Sequence, residues 1–162
     1  MPTQQISDFS VAVQDVRRQA HEEQPALTLL WCLQGEVTLE TTDGVRKLQD
    51  GALAVINPNQ RWQLASEQPN TLMTLTITSN WLTRLDAHFF GFDYQIATQP
   101  HAKQEHEARL CSLMRQLLIT HLINHQTHAR LEANRWLSEI ALLLATHFQQ
   151  PRQSATPHGS AA

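Results

Sequence analysis

Glycine is scarce in this sequence, five in 162 residues. A phosphate-cradling loop needs several glycines within a few positions, so that backbone N–H groups can converge on the anion; that spacing does not occur. The Gly-x-Ser-x-Gly turn that exposes a serine nucleophile is also missing. The two cysteines, Cys32 and Cys111, stand far apart in apolar surroundings. They fit neither a metal-type nor a redox-type spacing and read as buried free thiols. Positive charge is in deficit, with 12 Lys and Arg against 15 Asp and Glu and a formal net charge of −3. A domain that grips nucleic acid through its phosphates carries a basic excess, so this chain is not expected to bind DNA alone. Residues 1–19 hold no apolar signal-type core, and no run approaches the ~20 residues of a bilayer span. The expectation is a cytoplasmic protein without membrane contact. Paired acids such as Glu22-Glu23 and Glu105/Glu107 read as solvated faces, so no catalytic residue is expected.

What is present is an ordinary folding composition, 41% hydrophobic and 17% charged, enough for a core without staples. Two textures meet near residue 100. The first is β-branched and punctuated by turns. Residues 9–16 open with apolar positions two apart, and residues 26–33 form an almost continuous apolar run, as expected of a strand buried on both faces. Residues 36–42 and 45–48 flank Asp43-Gly44, a two-residue hairpin signal because both tolerate positive φ. Residues 52–56, 61–65 and 71–78 complete a set of short strands that predicts a sandwich or barrel. Residues 81–85 read as a short helix.

The second texture is helical. Leu110, Leu113, Leu117 and His121 recur at three- and four-residue steps from about residue 103 to 124. A turn at 124–127 leads to a second helix ending near residue 149. Ala133, Trp136, Leu137, Ile140, Ala141, Leu143, Leu144 and Phe148 cover a wide arc of it, with Leu131 and Leu142 on roughly the opposite side. One packing surface needs a stripe of about 100°, so a second surface is expected. Leu131, Leu137, Leu142, Leu144 and Phe148 are the candidate contacts of a homodimer; a helix buried deep in one domain is the alternative. Residues 151–162, with two prolines and Gly159, read as a linker. His121, His125 and His128 lie four and three apart and read as helix-end imidazoles, with no carboxylate or Cys among them to complete a metal site.

The ordered run Leu29-Leu30-Trp31-Cys32-Leu33-Gln34-Gly35-Glu36-Val37, then Leu48-Gln49-Asp50-Gly51-Ala52-Leu53-Ala54-Val55-Ile56-Asn57-Pro58, resembles the cupin barrel of AraC/XylS-type transcription regulators. Ala52 stands where that family often has Asp, and no His follows Pro58 closely. The resemblance implies a mainly β fold, a cupin-like double-stranded β-helix barrel over residues 1–100. An antiparallel dimerisation helix pair over 101–150 and a tail over 151–162 follow. It also implies an effector-sensing and dimerising role in transcription control, with DNA reached only through a C-terminal helix-turn-helix domain. That half would need about a hundred further residues; the chain stops at Ala162, which predicts an excised fragment, with a stand-alone sensor as the alternative.

Cupin enzymes hold a metal through two His and a Glu on one motif and a His on a second. Registered on Gly35 and Pro58, those positions fall near Glu22, Gln24, Thr28 and Trp62, with His21 one residue away. An indole cannot ligate and a lone His is a poor site, so neither metal nor cofactor is expected. Residues two apart share a strand face. Thr28, Leu30, Cys32, Trp62, Leu64, Leu72 and Thr74 should therefore face the interior and form the candidate binding site. Such a lining suits a small apolar or aromatic effector better than a sugar. A filled barrel with no cavity is left open, as are two rival functions: a metal-dependent cupin isomerase or oxygenase using His21 and Glu22, and a dimerisation module with a solid barrel.

Overall fold

The structure, a computed structural model, describes residues 8–96, 104–123 and 128–152. Two four-stranded antiparallel sheets face each other. The first is ordered β1 (Phe9–Gln14), β8 (Thr71–Thr78), β3 (Ala26–Gln34), β6 (Leu53–Ile56). The second is ordered β2 (Arg18–His21), β7 (Trp62–Ala65), β4 (Val37–Thr41), β5 (Gly44–Leu48). Among the described residues the ladders do not join into a closed barrel. Side chains bridge the two seams instead: Gln14 Nε2 donates to Gln19 Oε1 at 3.4 Å on one side, and Arg46 Nη2 donates to Leu53 O at 3.3 Å on the other.

The apolar run of β3 is buried on both faces, as its sequence demands. Leu30 and Cys32 point between the sheets with Leu39, Leu48, Leu64 and Leu72. Leu27, Leu29 and Trp31 point outward into a second core. That core is completed by α1 (Ser79–Leu85), α2 (Gln104–Leu122) and α3 (Ala129–His147). The last two are antiparallel, since His106 near the start of α2 stacks on His147 at the end of α3, ring centroids 3.5 Å apart. Arg109 also pairs with Glu139 at 3.1 Å.

The structure adds to the sequence reading at three places. The first strand stops at Gln14, because Val16 gives its backbone polar atoms to Asn70 and turns the chain into β2, a strand too polar to be read from periodicity. Directly after α3 a further strand β10 (Gln149–Pro151) pairs antiparallel with β9 (Phe92–Tyr94), Pro151 opposite Phe92, a pairing that the sequence pattern does not announce. The wide apolar arc of α3 divides between the core and the surface, so only part of the candidate dimer contacts is free to meet a second chain. Leu137, Leu144 and Phe148 are spent inside the protein's own core at 0%, 0% and 1% exposure, while Leu131 and Leu142 stand outside, each 68% exposed. Of the His trio, His121 and His128 are exposed; His125, the turn at 124–127 and residues 153–162 lie outside the described residues.

Candidate functional site

The space between the sheets has an apolar, plugged end and a more polar one, where Thr41, Thr76 and His21 are half-buried and Ser10 is exposed. At the plugged end Val16, Cys32, Val37, Leu48 and Leu72 are all fully buried. Asn70 caps them: its Oδ1 accepts from Val16 N at 2.9 Å and its Nδ2 donates to Val16 O at 2.7 Å. Beside it, Gly35 adopts φ +87°, and a Cβ there would sit 2.4 Å from Pro69 O, so only glycine fits the β3–β4 turn. The Cys32 thiol donates toward Gly35 O at 3.4 Å. Burial and the charge of Asp50 push its pKa up, which keeps it a protonated, unreactive thiol.

The more polar end, the mouth, gathers the hydroxyls. Register places Thr28 between Ile56 and Thr76, and Thr76 beside Ser10. In the facing sheet Trp62 lies between Thr41 and His21. The His21 and Trp62 rings are stacked, centroids 3.8 Å apart and 8° from parallel. His21 Nε2 is 3.1 Å from Gln19 Oε1, and partial burial lowers the imidazole pKa, favouring the neutral ring. The mouth is thus an aromatic wall and a set of neutral hydroxyls above an apolar floor.

All seven candidate interior residues lie on this inner face. Leu30, Cys32, Leu64 and Leu72 form the buried floor, Thr28 and Trp62 above them are also buried at 3% and 5% exposure, and Thr74, opposite Leu30, is half-buried. Sequence reasoning missed Ser10, Gln19, Thr41 and Thr76 as mouth residues. The alternation of β8 could have added Thr76, but β2 carries no apolar signal that would have placed Gln19.

The donor set does not fit the metal that cupin enzymes hold. Among the described residues no three His, Cys, Asp or Glu side chains come together. The His21 ring is engaged by Trp62 and Gln19. Glu22 and Glu23 extend to Arg61 at 3.5 and 3.6 Å on the outside of the loops.

On the helices, Leu131 and Leu142 are eleven residues apart, three turns, and so share one outward face of α3. A shallow groove lined by Gln116, Ile119, Ile123, Ala129, Glu132 and Trp136 lies where the end of α2 meets the start of α3. No described helix is long and apolar enough to cross a membrane.

Solved structures of cupins are similar to this chain. A cupin-2 domain protein from Shewanella frigidimarina is 16% identical, with 44% of this chain and 72% of that one covered and a TM-score of 0.39. A cupin from Bacteroides fragilis is 16% identical, with 46% and 69% covered and a TM-score of 0.41. The Cnp3 cupin domain of Schizosaccharomyces pombe is 8% identical, with 52% and 66% covered and a TM-score of 0.44. No curated protein matches the sequence. The family model for the AraC-binding-like domain matches residues 3–148. That span takes in the two sheets, all three helices and every mouth residue described above, and the chain belongs to the AraC-binding-like domain family.

Proposed function

We propose that this domain senses a small, largely apolar or aromatic molecule at the more polar end of the cupin fold, as the effector-binding and dimerising part of an AraC-type transcription regulator. DNA would be contacted only through a separate helix-turn-helix part. The observation that carries the reading is the Trp62–His21 stack beside the hydroxyls of Thr28, Thr41 and Thr76, above the apolar floor of Leu30, Leu64 and Leu72. Flat rings recognise flat apolar ligands by contact area, and a few neutral hydroxyls fix orientation. A sugar or an anion would leave most of its polar groups unpaired here. A ligand shifts such a domain only by its differential affinity for two states, and ordering of the strands at the mouth supplies the difference.

The test is a thermal-shift screen of small aromatic and aliphatic fragments against the wild type and Trp62→Ala. A ligand at a hundred times its dissociation constant adds about 2.7 kcal/mol, or roughly 5–10 °C in a domain of this size. The shift should vanish in Trp62→Ala. A broad screen without a stabilising compound sinks the proposal and favours a second reading, a solid barrel serving dimerisation alone. The tight inner floor, where Leu30, Cys32 and Leu72 are fully buried, is the feature that supports that reading.

A further inference from the structure

The loop over residues 57–61 forms part of the more polar end and delivers Trp62 to it. Its first residue, Asn57, looks away from the mouth. Asn57 Oδ1 accepts from Tyr94 N at 2.8 Å, and Asn57 Nδ2 donates to Tyr94 O at 3.0 Å. One carboxamide thus takes both main-chain polar atoms of a residue thirty-seven positions away, as a strand would. Tyr94 itself is fixed: its side chain is 2% exposed, stacks on Phe89 with centroids 4.6 Å apart, and its hydroxyl donates to Phe89 O. On the far side of β9 lies β10, with Tyr94 opposite Gln149 and Phe92 opposite Pro151. Gln95, next along the chain, donates to Phe148 O at 3.0 Å.

The loop is also held at its other side. Asn57 N donates to Gln60 Oε1 at 3.0 Å, and Gln60 Nε2 donates to Asp43 Oδ2 at 3.0 Å in the β4–β5 turn. Asn59 N donates to Gln24 O at 2.8 Å in the β2–β3 connection. Three connections at the mouth therefore share one hydrogen-bond set, and Asn57 is where that set reaches β9.

We propose that β9 is a strap between the ligand mouth and β10, with Asn57 as the positioning residue that transmits the state of the mouth loop to the chain following α3. The β10 strand is exposed and three residues long, so beyond its attachment to the buried Phe148 its order rests on β9. The position of β9 rests in turn on Asn57 and the buried Tyr94 ring. A ligand that tightens the loop before Trp62 would steady β10, and one that displaces the loop would release it. Linkage makes the effect reciprocal: disturbing β10 must loosen the mouth loop. The regulatory meaning rests on the sensing role proposed above, but the coupling itself is measurable without a ligand.

The experiment is hydrogen exchange with mass-spectrometric readout on the full chain. Asn57→Ala removes both bonds to Tyr94, and exchange in peptides covering Tyr94–Ile96 and Gln149–Gln150 is expected to rise about tenfold. The β3 and β8 amides should keep wild-type protection, which shows that the fold is intact. Asn57→Asp keeps the acceptor and loses the donor, and should fall between the two. In the reverse direction Gln150→Pro removes a β10 donor, and exchange at Asn57 and Asn59 should rise. The proposal is overturned if Asn57→Ala loosens the loop while β10 exchanges as in the wild type, or if Gln150→Pro leaves the loop unchanged. A failed fragment screen would leave both arms readable, so loss of the sensing role and loss of the strap are separate results.

Discussion

Asn70 stands in for a missing strand neighbour of Val16: its carboxamide bonds both Val16 N and Val16 O, at 2.9 and 2.7 Å, where the chain turns between β1 and β2. Val16 is fully buried and Asn70 is 5% exposed, so water cannot replace the pair. Asn70→Ala leaves a buried donor and a buried acceptor unpaired, at about 1–3 kcal/mol each. A loss of about 2–4 kcal/mol is expected, read as a lower urea midpoint with an unchanged slope. A loss under about 0.5 kcal/mol would mean that the turn is held by something other than Asn70.

His21 sets an acid limit on the fold. Its imidazole pKa is lowered from the ordinary 6.5 because the ring is partly buried against Trp62. The unfolded chain therefore takes up the proton first as pH falls. The stability tied to the neutral ring is present above pH 6.5 and is lost as pH drops through the lower folded value. His21→Gln cannot be protonated, so its melting temperature should fall less than the wild type's below pH 6.5. Parallel melting curves for the two proteins from pH 7.5 downward would show that this ring does not carry the acid sensitivity.

What could be read from the sequence follows from where each strand sits. The run over 26–33 was legible because both its faces are covered, Leu27, Leu29 and Trp31 by helices and Leu30 and Cys32 by the other sheet. The limits of β8 were legible from its alternation, Met73, Leu75 and Ile77 buried under the helices and Thr74 and Thr76 half-buried on the other face. β2 was not legible because Arg18 and Ala20 face solvent while Gln19 and His21 face the mouth, which leaves no apolar alternation. β9 and β10 have three residues each, too few for a period, and the β10 residues are all exposed. The tie of Asn57 to Tyr94 lies beyond any local pattern, since its partners are thirty-seven residues apart. The arc of α3 is wide in the sequence and in the structure, and Ala133, Leu137, Ile140 and Leu144 belong to the core shared with the first sheet and α2.

Glu107 on α2 tests the junction of the helices with the sheets. Burial raises its carboxyl pKa more than the nearby Arg46 lowers it. Glu107 Oε1 and Arg46 Nε are both sheltered and find no hydrogen-bond partner among the described residues. A raised carboxyl pKa contributes stability that is complete below the ordinary 4.5 and is lost as pH rises through the folded value. Glu107→Gln keeps the uncharged form at every pH. The variant should melt above the wild type at pH 7 and converge with it below pH 4.5. A variant that melts lower at pH 7 would show instead that the attraction to Arg46 outweighs the burial.

The outward face of α3 bears on assembly. Leu131 and Leu142 share that face with Arg135 and Thr146, and both leucines are 68% exposed. Ile119, Leu122 and Ile123 add exposed apolar surface at the end of α2. Exposed leucines forgo about 1.5–3 kcal/mol each in burial, so the proposed dimer is expected to use them. A two-fold axis would bring each leucine into the interface twice. Leu137, Leu144 and Phe148 already lie in the core, so substituting them would unfold the chain and report nothing about association. Leu131→Asp and Leu142→Asp leave that core untouched and should stay folded by circular dichroism. Each removes two symmetry-related contacts, about 3 kcal/mol per dimer at the lower limit, which weakens association roughly a hundredfold. Analytical ultracentrifugation across a concentration series reads that shift directly. A wild type monomeric at tens of micromolar would refute the dimer. A dimer unaffected by either substitution would move its interface away from this face, toward the end of α2, where Leu122→Asp becomes the deciding variant.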